Sequence, residues 1–108
     1  MCAAKEIGNL NKTGMQALSE GNLMNAEFLL HQALRRASSL GAEAYIAKIR
    51  NNLGLVLHAQ GRNAEAADLF QSALDTIARR IGTENKLYGS ILRNLRAAGS
   101  APQRGMAA

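Results

Sequence analysis

A forty-residue repeat constrains this chain more than any other feature. Laid forty residues downstream on itself, the segment 11–34 meets the segment 51–74, and seven residue types coincide. They are Asn11 with Asn51, Gly14 with Gly54, Gly21 with Gly61, Ala26 with Ala66, Leu29 with Leu69, Ala33 with Ala73, and Leu34 with Leu74. Ordinary residue frequencies would give roughly two matches. Met15 over Leu55 and Leu30 over Phe70 extend the pattern with similar residues. A period of this size means stacked supersecondary units. Such stacks build long surfaces that hold other molecules, which favours binding over catalysis.

The repeated unit reads as helical. The only proline, Pro102, lies near the end, and the body is rich in Ala, Leu, Glu, Gln and Arg. Five helices are expected, over about 5–20, 23–40, 43–60, 64–81 and 84–98. The second carries Phe28, Leu29, Ala33, Leu34 and Ala37 as one apolar stripe. The third turns Tyr45, Ile46, Ile49, Leu53, Val56 and Leu57 inward, and the fourth Ala66, Leu69, Phe70, Ala73, Leu74 and Ile77. The fifth shows Leu87, Tyr88, Ile91, Leu92 and Leu95. Gly21, Gly41, Gly61 and Gly82 mark helix ends, and Asn63 is expected to cap the fourth helix. Segment 99–108 has no periodicity and reads as a disordered tail.

Connections this short make consecutive helices antiparallel neighbours. Aromatics are only 4% of the chain and tryptophan is absent, so packing has to rely on close backbone approach. Gly14 opposite Ala26, and Gly54 opposite Ala66, would provide it. The expected fold class is all-α: two helical hairpins (5–40 and 43–81) and a capping helix (84–98), in one domain over 5–98.

The glycine, the second glycine seven residues on, and the alanine pattern of the next helix resemble the tetratricopeptide repeat. They stand here as Gly14, Gly21, Ala26, Leu30, Ala33 and as Gly54, Gly61, Ala66, Phe70, Ala73. Leu40-Gly41, Ile81-Gly82, Asn51-Asn52-Leu53 and Arg93-Asn94-Leu95 are similar to the long-period, kinesin-light-chain type of that family. Two departures stand out: the aromatic usual early in a unit's first helix is missing, and Thr13 replaces the leucine seen as Leu53. The resemblance implies a right-handed superhelix whose concave groove, lined by the first helix of each unit, holds a peptide. By position the groove would contain Asn11, Met15, Lys48, Asn51, Asn52, Leu55, His58, Ser90, Arg93 and Asn94. In such relatives an asparagine bonds the ligand backbone, since an amide offers both donor and acceptor. Asn52 and Asn94 occupy that place, and Lys12 does in the first unit. Alternatively these amides bond neighbouring helices.

The net charge of +5 admits acidic partners or nucleic acid without selecting either. The basic pairs Arg35-Arg36 and Arg79-Arg80 fall at expected helix ends, where they complement the helix dipole. A groove edge of Lys48 and Arg93 favours a partner segment carrying acidic residues. Single-strand nucleic-acid binders present aromatic platforms, which a chain with Phe28, Tyr45, Phe70 and Tyr88 mostly on packing faces does not. His31 and His58 lie on different units without further ligands, so no metal or other cofactor is expected. Cys2 has no base to activate it and no second cysteine to pair with, which reads as non-enzymatic and fits a reducing, cytoplasmic setting. No apolar run is long enough to span a membrane. Two units fall short of the three that usually make a stable stack, so self-association through Leu23, Met24 and Phe28 is a further expectation.

Overall fold

Gly21 and Gly61 stand forty residues apart and share one backbone conformation, φ +78°. Each lets the chain reverse out of a helix in the left-handed region. The bonds that follow are the same at both ends: Asn22 and Arg62 donate to carbonyls five residues back, on Ala17 and Leu57, at 2.9 Å. The computed structural model describes residues 2–100, and these form five helices and no strand. They are α1 (Ala3–Ser19), α2 (Leu23–Ser39), α3 (Glu43–Ala59), α4 (Asn63–Ile81) and α5 (Lys86–Ser100).

Within each hairpin one missing side chain sets the helix spacing. A Cβ on Gly54 would lie 2.5 Å from the Phe70 ring, and one on Gly14 would lie 2.8 Å from Leu30 Cγ. The glycines therefore make room for the bulky residue of the second helix. Ala26 contributes a backbone carbonyl, 3.5 Å from the site of a Gly14 Cβ. This refines the expected glycine–alanine pairing: the alanine keeps the backbones close while Leu30 or Phe70 crosses the glycine.

The core runs along the stack in two parts. Ile7, Ala26, Leu30, Ala33 and Ala37 of the first hairpin meet Ile49, Leu53 and Val56 of α3. Phe70, Ala73, Leu74 and Ile77 of α4 meet Leu57 on one side and Ile91 and Ala98 of α5 on the other. Successive first helices touch (α1 with α3, α3 with α5), whereas α2 and α4 make no such contact. This asymmetry bends the stack toward α1, α3 and α5 and opens a gap between α2 and α4.

Several expectations need correcting. Phe28 is 57% exposed, and the fully buried residue of that stripe is Leu30. Arg62, not Asn63, is the N-cap residue of α4; Asn63 is its first residue and is buried. Asn22 does cap α2, its side chain accepting from the Asn25 N–H. Helix α1 begins at Ala3, and α5 begins at Lys86, where the Asn85 side chain accepts from the Tyr88 N–H at 2.8 Å. Gly99 and Ser100, expected in a disordered tail, belong to α5. The rest of that tail lies outside the described residues.

Candidate functional site

The inner face is built by α1, α3 and α5, and paired asparagines hold it together. Asn52 Nδ2 donates to Asn11 Oδ1 at 2.8 Å, and Asn94 Nδ2 donates to Asn51 Oδ1 at 3.0 Å. Each pair joins the first helices of successive units. The acceptors, Asn11 and Asn51, share one repeat position, and the donors, Asn52 and Asn94, stand one residue further on. In α1 the donor place is held by Lys12, and in α5 the acceptor place is held by Arg93. The seam thus has an amide pair where two units meet and a cation at each end.

Asn51 is buried, whereas Asn11, Asn52 and Asn94 are half-buried. One bond occupies only part of an amide's capacity, because Asn52 and Asn94 each carry a second N–H and a carbonyl oxygen. Lys48 and Arg93 are exposed, and Ser90 is half-buried on α5. Met15 packs against the first part of the core and Leu55 against the second. His58 Nδ1 bonds Asn63 Oδ1, which ties its ring to the start of α4. Lys12, Lys48 and Arg93 have no carboxylate partner among the described residues.

Carboxylates are instead engaged elsewhere. Arg36 pairs with Glu6 at 3.0 Å and Arg80 with Glu43 at 3.1 Å, each joining the two helices of one hairpin. Between the hairpins, Arg62 Nη1 donates to both oxygens of Glu27 at 3.1 Å, and Gln60 donates to the same carboxylate at 3.0 Å. Arg62 also grips both oxygens of Glu65, at 2.9 and 3.0 Å. Burial works against the Glu27 carboxylate. The bonds from Gln60 and Arg62, with the charges of Arg62 and His31, outweigh it and hold its pKa below the usual value. The bond from Arg62 lowers that of Glu65, and the Arg62 guanidinium is raised chiefly by its bond to Glu65. Nothing in the repeat pattern announces this clamp, since Glu27 aligns with Ala67 and its partners lie more than thirty residues away. Arg50 is likewise half-buried and donates to Ser72 Oγ at 3.0 Å.

Among the described residues no cluster of three or more His, Cys, Asp or Glu could hold a metal ion, and no helix is long and apolar enough to cross a membrane. Helical hairpins in series, closed by glycine turns and curved toward their first helices, define a helical-repeat interaction protein. The chain matches the family model described as Tetratricopeptide repeat over residues 9–78, well over half its length, and it belongs to that family. Proteins of this family generally mediate protein–protein interaction and are typically non-enzymatic modules. No curated protein matches the chain.

Proposed function

We propose that this protein holds an extended segment of a partner protein across the inner face of α1, α3 and α5. One observation carries the reading. Each first helix presents a cation without a carboxylate partner among the described residues, Lys12, Lys48 and Arg93, beside the seam amides of Asn52 and Asn94. The amides bond the ligand backbone with the donor and acceptor that the seam does not use. The cations select a segment bearing acidic side chains, since opposite charge speeds encounter and sets register. His58, engaged by Asn63, is left with a minor part in selectivity.

Titration with an acidic, extended peptide, followed by amide shifts, tests the reading. Shifts on α1, α3 and α5 are expected, and Lys48→Glu with Arg93→Glu should weaken binding about tenfold or more. Unchanged affinity in that pair would move the site off the inner face. Binding to RNA that fell steeply with salt would replace a peptide by a nucleic acid.

The spacing of like seam residues, 40 from Asn11 to Asn51 and 42 from Asn52 to Asn94, supports the long-period type of the family. The single free cysteine, Cys2, supports a reducing, cytoplasmic setting. A second reading, self-association, rests on Met24 at 81% and Phe28 at 57% exposure on the outer side of α2. Light scattering that returned the 11.5 kDa monomer mass at ~10 μM would remove it.

A further inference from the structure

We infer a second docking site on the opposite, outer face, in the gap between α2 and α4, for a partner segment that presents aliphatic side chains flanked by lysine or arginine. The backbones of α2 and α4 do not approach each other, so a cleft runs between them above α3, whose Leu53 and Leu57 are themselves 1% and 4% exposed. Its cleft is about 280 Å³, with Leu34, Leu53, Leu57 and Leu69 among its lining. Small-molecule sites run to roughly 300–1,000 Å³, so this cleft is sized for one or two side chains of a docking segment.

Charge chooses between occupants. Glu65 and Asp68 stand on the rim, and Glu27 lies behind it across Arg62. Three carboxylates thus face one guanidinium and the imidazole of His31, on a chain whose net charge is +5. Arg62 is already held between Glu27 and Glu65, while Asp68 is exposed and has no ion-pair partner among the described residues. The repeat does not require this acidity, because Asn25 and Phe28 stand where the second hairpin has Glu65 and Asp68. Half-buried Leu34 and Leu69 on the walls, under an acidic rim, fit apolar anchors with basic neighbours laid along the groove between two helices. The two faces then prefer partners of opposite charge, and one small stack can bridge them.

The test uses the full chain and a short synthetic helical peptide with two leucines one turn apart, flanked by lysines. Its control carries glutamates in place of the lysines. Methyl shifts should appear at Leu34 and Leu69, the accessible leucines of the cleft, with the lysine peptide and be far weaker with the control. Asp68→Lys should lower affinity for the lysine peptide about tenfold and raise that of the control. The peptide pair on the unaltered chain reads the same preference without any substitution. Shifts confined to the inner face, equal binding of both peptides, or no methyl shift up to ~1 mM peptide would each overturn the site. None of these outcomes depends on whether an acidic segment binds the inner face.

Discussion

The two hairpins share a skeleton and differ on one face. Both place a glycine against a bulky side chain, Gly14 under Leu30 and Gly54 under Phe70, and both bury the matched alanines Ala26, Ala66, Ala33 and Ala73 completely. The face that α3 turns toward the first hairpin carries Tyr45, Ile46, Ile49 and Leu53. The corresponding places on α1 hold Lys5, Glu6, Asn9 and Thr13. Glu6 is half-buried and paired with Arg36, and the other three are exposed. The comparison separates two kinds of apolar position that sequence periodicity merges. The shared glycine and the bulky residue that crosses it close each hairpin on itself, and Tyr45, Ile46, Ile49 and Leu53, apolar in the second hairpin alone, join it to the first. A unit whose outer face is polar can meet water without hiding a stripe of leucines.

Exchanging residues at one such position should show the largest effect. Leu53 is 1% exposed, so Leu53→Thr should destabilise by about 2–5 kcal/mol through a cavity and a buried hydroxyl. The reciprocal Thr13→Leu lies on the exposed face and should stay within ~0.5 kcal/mol. Urea unfolding of both variants measures the difference. Similar costs would mean that the two faces are equivalent after all.

The glycines sharpen the shared half of the comparison. Gly54→Leu should cost about 1–3 kcal/mol or more by overpacking, because the Phe70 ring has no flexible end to withdraw. Gly14→Leu should also cost about 1–3 kcal/mol, since its Cβ would meet the Cγ of fully buried Leu30 at 2.8 Å. A neutral result at both sites would contradict the close-approach geometry. Next in size is the seam. Asn52→Ala and Asn94→Ala should each cost about 0.5–1.5 kcal/mol because each removes a bond between units. Thermal melts of the single and double variants would expose any cost.

The clamp between hairpins gives the smallest effect and a pH signature. Glu27 has a depressed pKa, so its contribution is present above the ordinary carboxylate value of about 4.3 and fades as pH falls through its lower folded value. Glu27→Gln should flatten that acid limb while leaving stability at neutral pH only slightly reduced. An unchanged acid limb in this variant would show that the Arg62 bridge does not couple the hairpins.

Much of the site was legible in part only. Lys48 and Arg93 stand exposed on helices whose positions followed from the repeat. Asn51 could not be separated from Asn52 by inspection, since the two are adjacent and identical. Packing made the first a buried acceptor and the second a half-buried donor. Phe28 was misplaced: it stands six and nine residues before Leu34 and Ala37, off their face, whereas Leu30 stands four and seven before them. The repeat, which aligns Leu30 with Phe70, carried the signal that burial bears out. The Glu27–Arg62 clamp and the cleft above Leu53 had no signal in the repeat, because they join residues that the period does not relate.

Helix number, glycine turns and hairpin pairing were determined by the sequence itself, because these depend on local backbone preference and on a short-range apolar period that any one segment displays. Which face of each hairpin meets its neighbour, which asparagine is buried, and where α2 and α4 part were decided only in the tertiary structure. Those features depend on the relative placement of helices some forty residues apart. Placement of that kind is set by summed packing and by hydrogen bonds that no single segment contains.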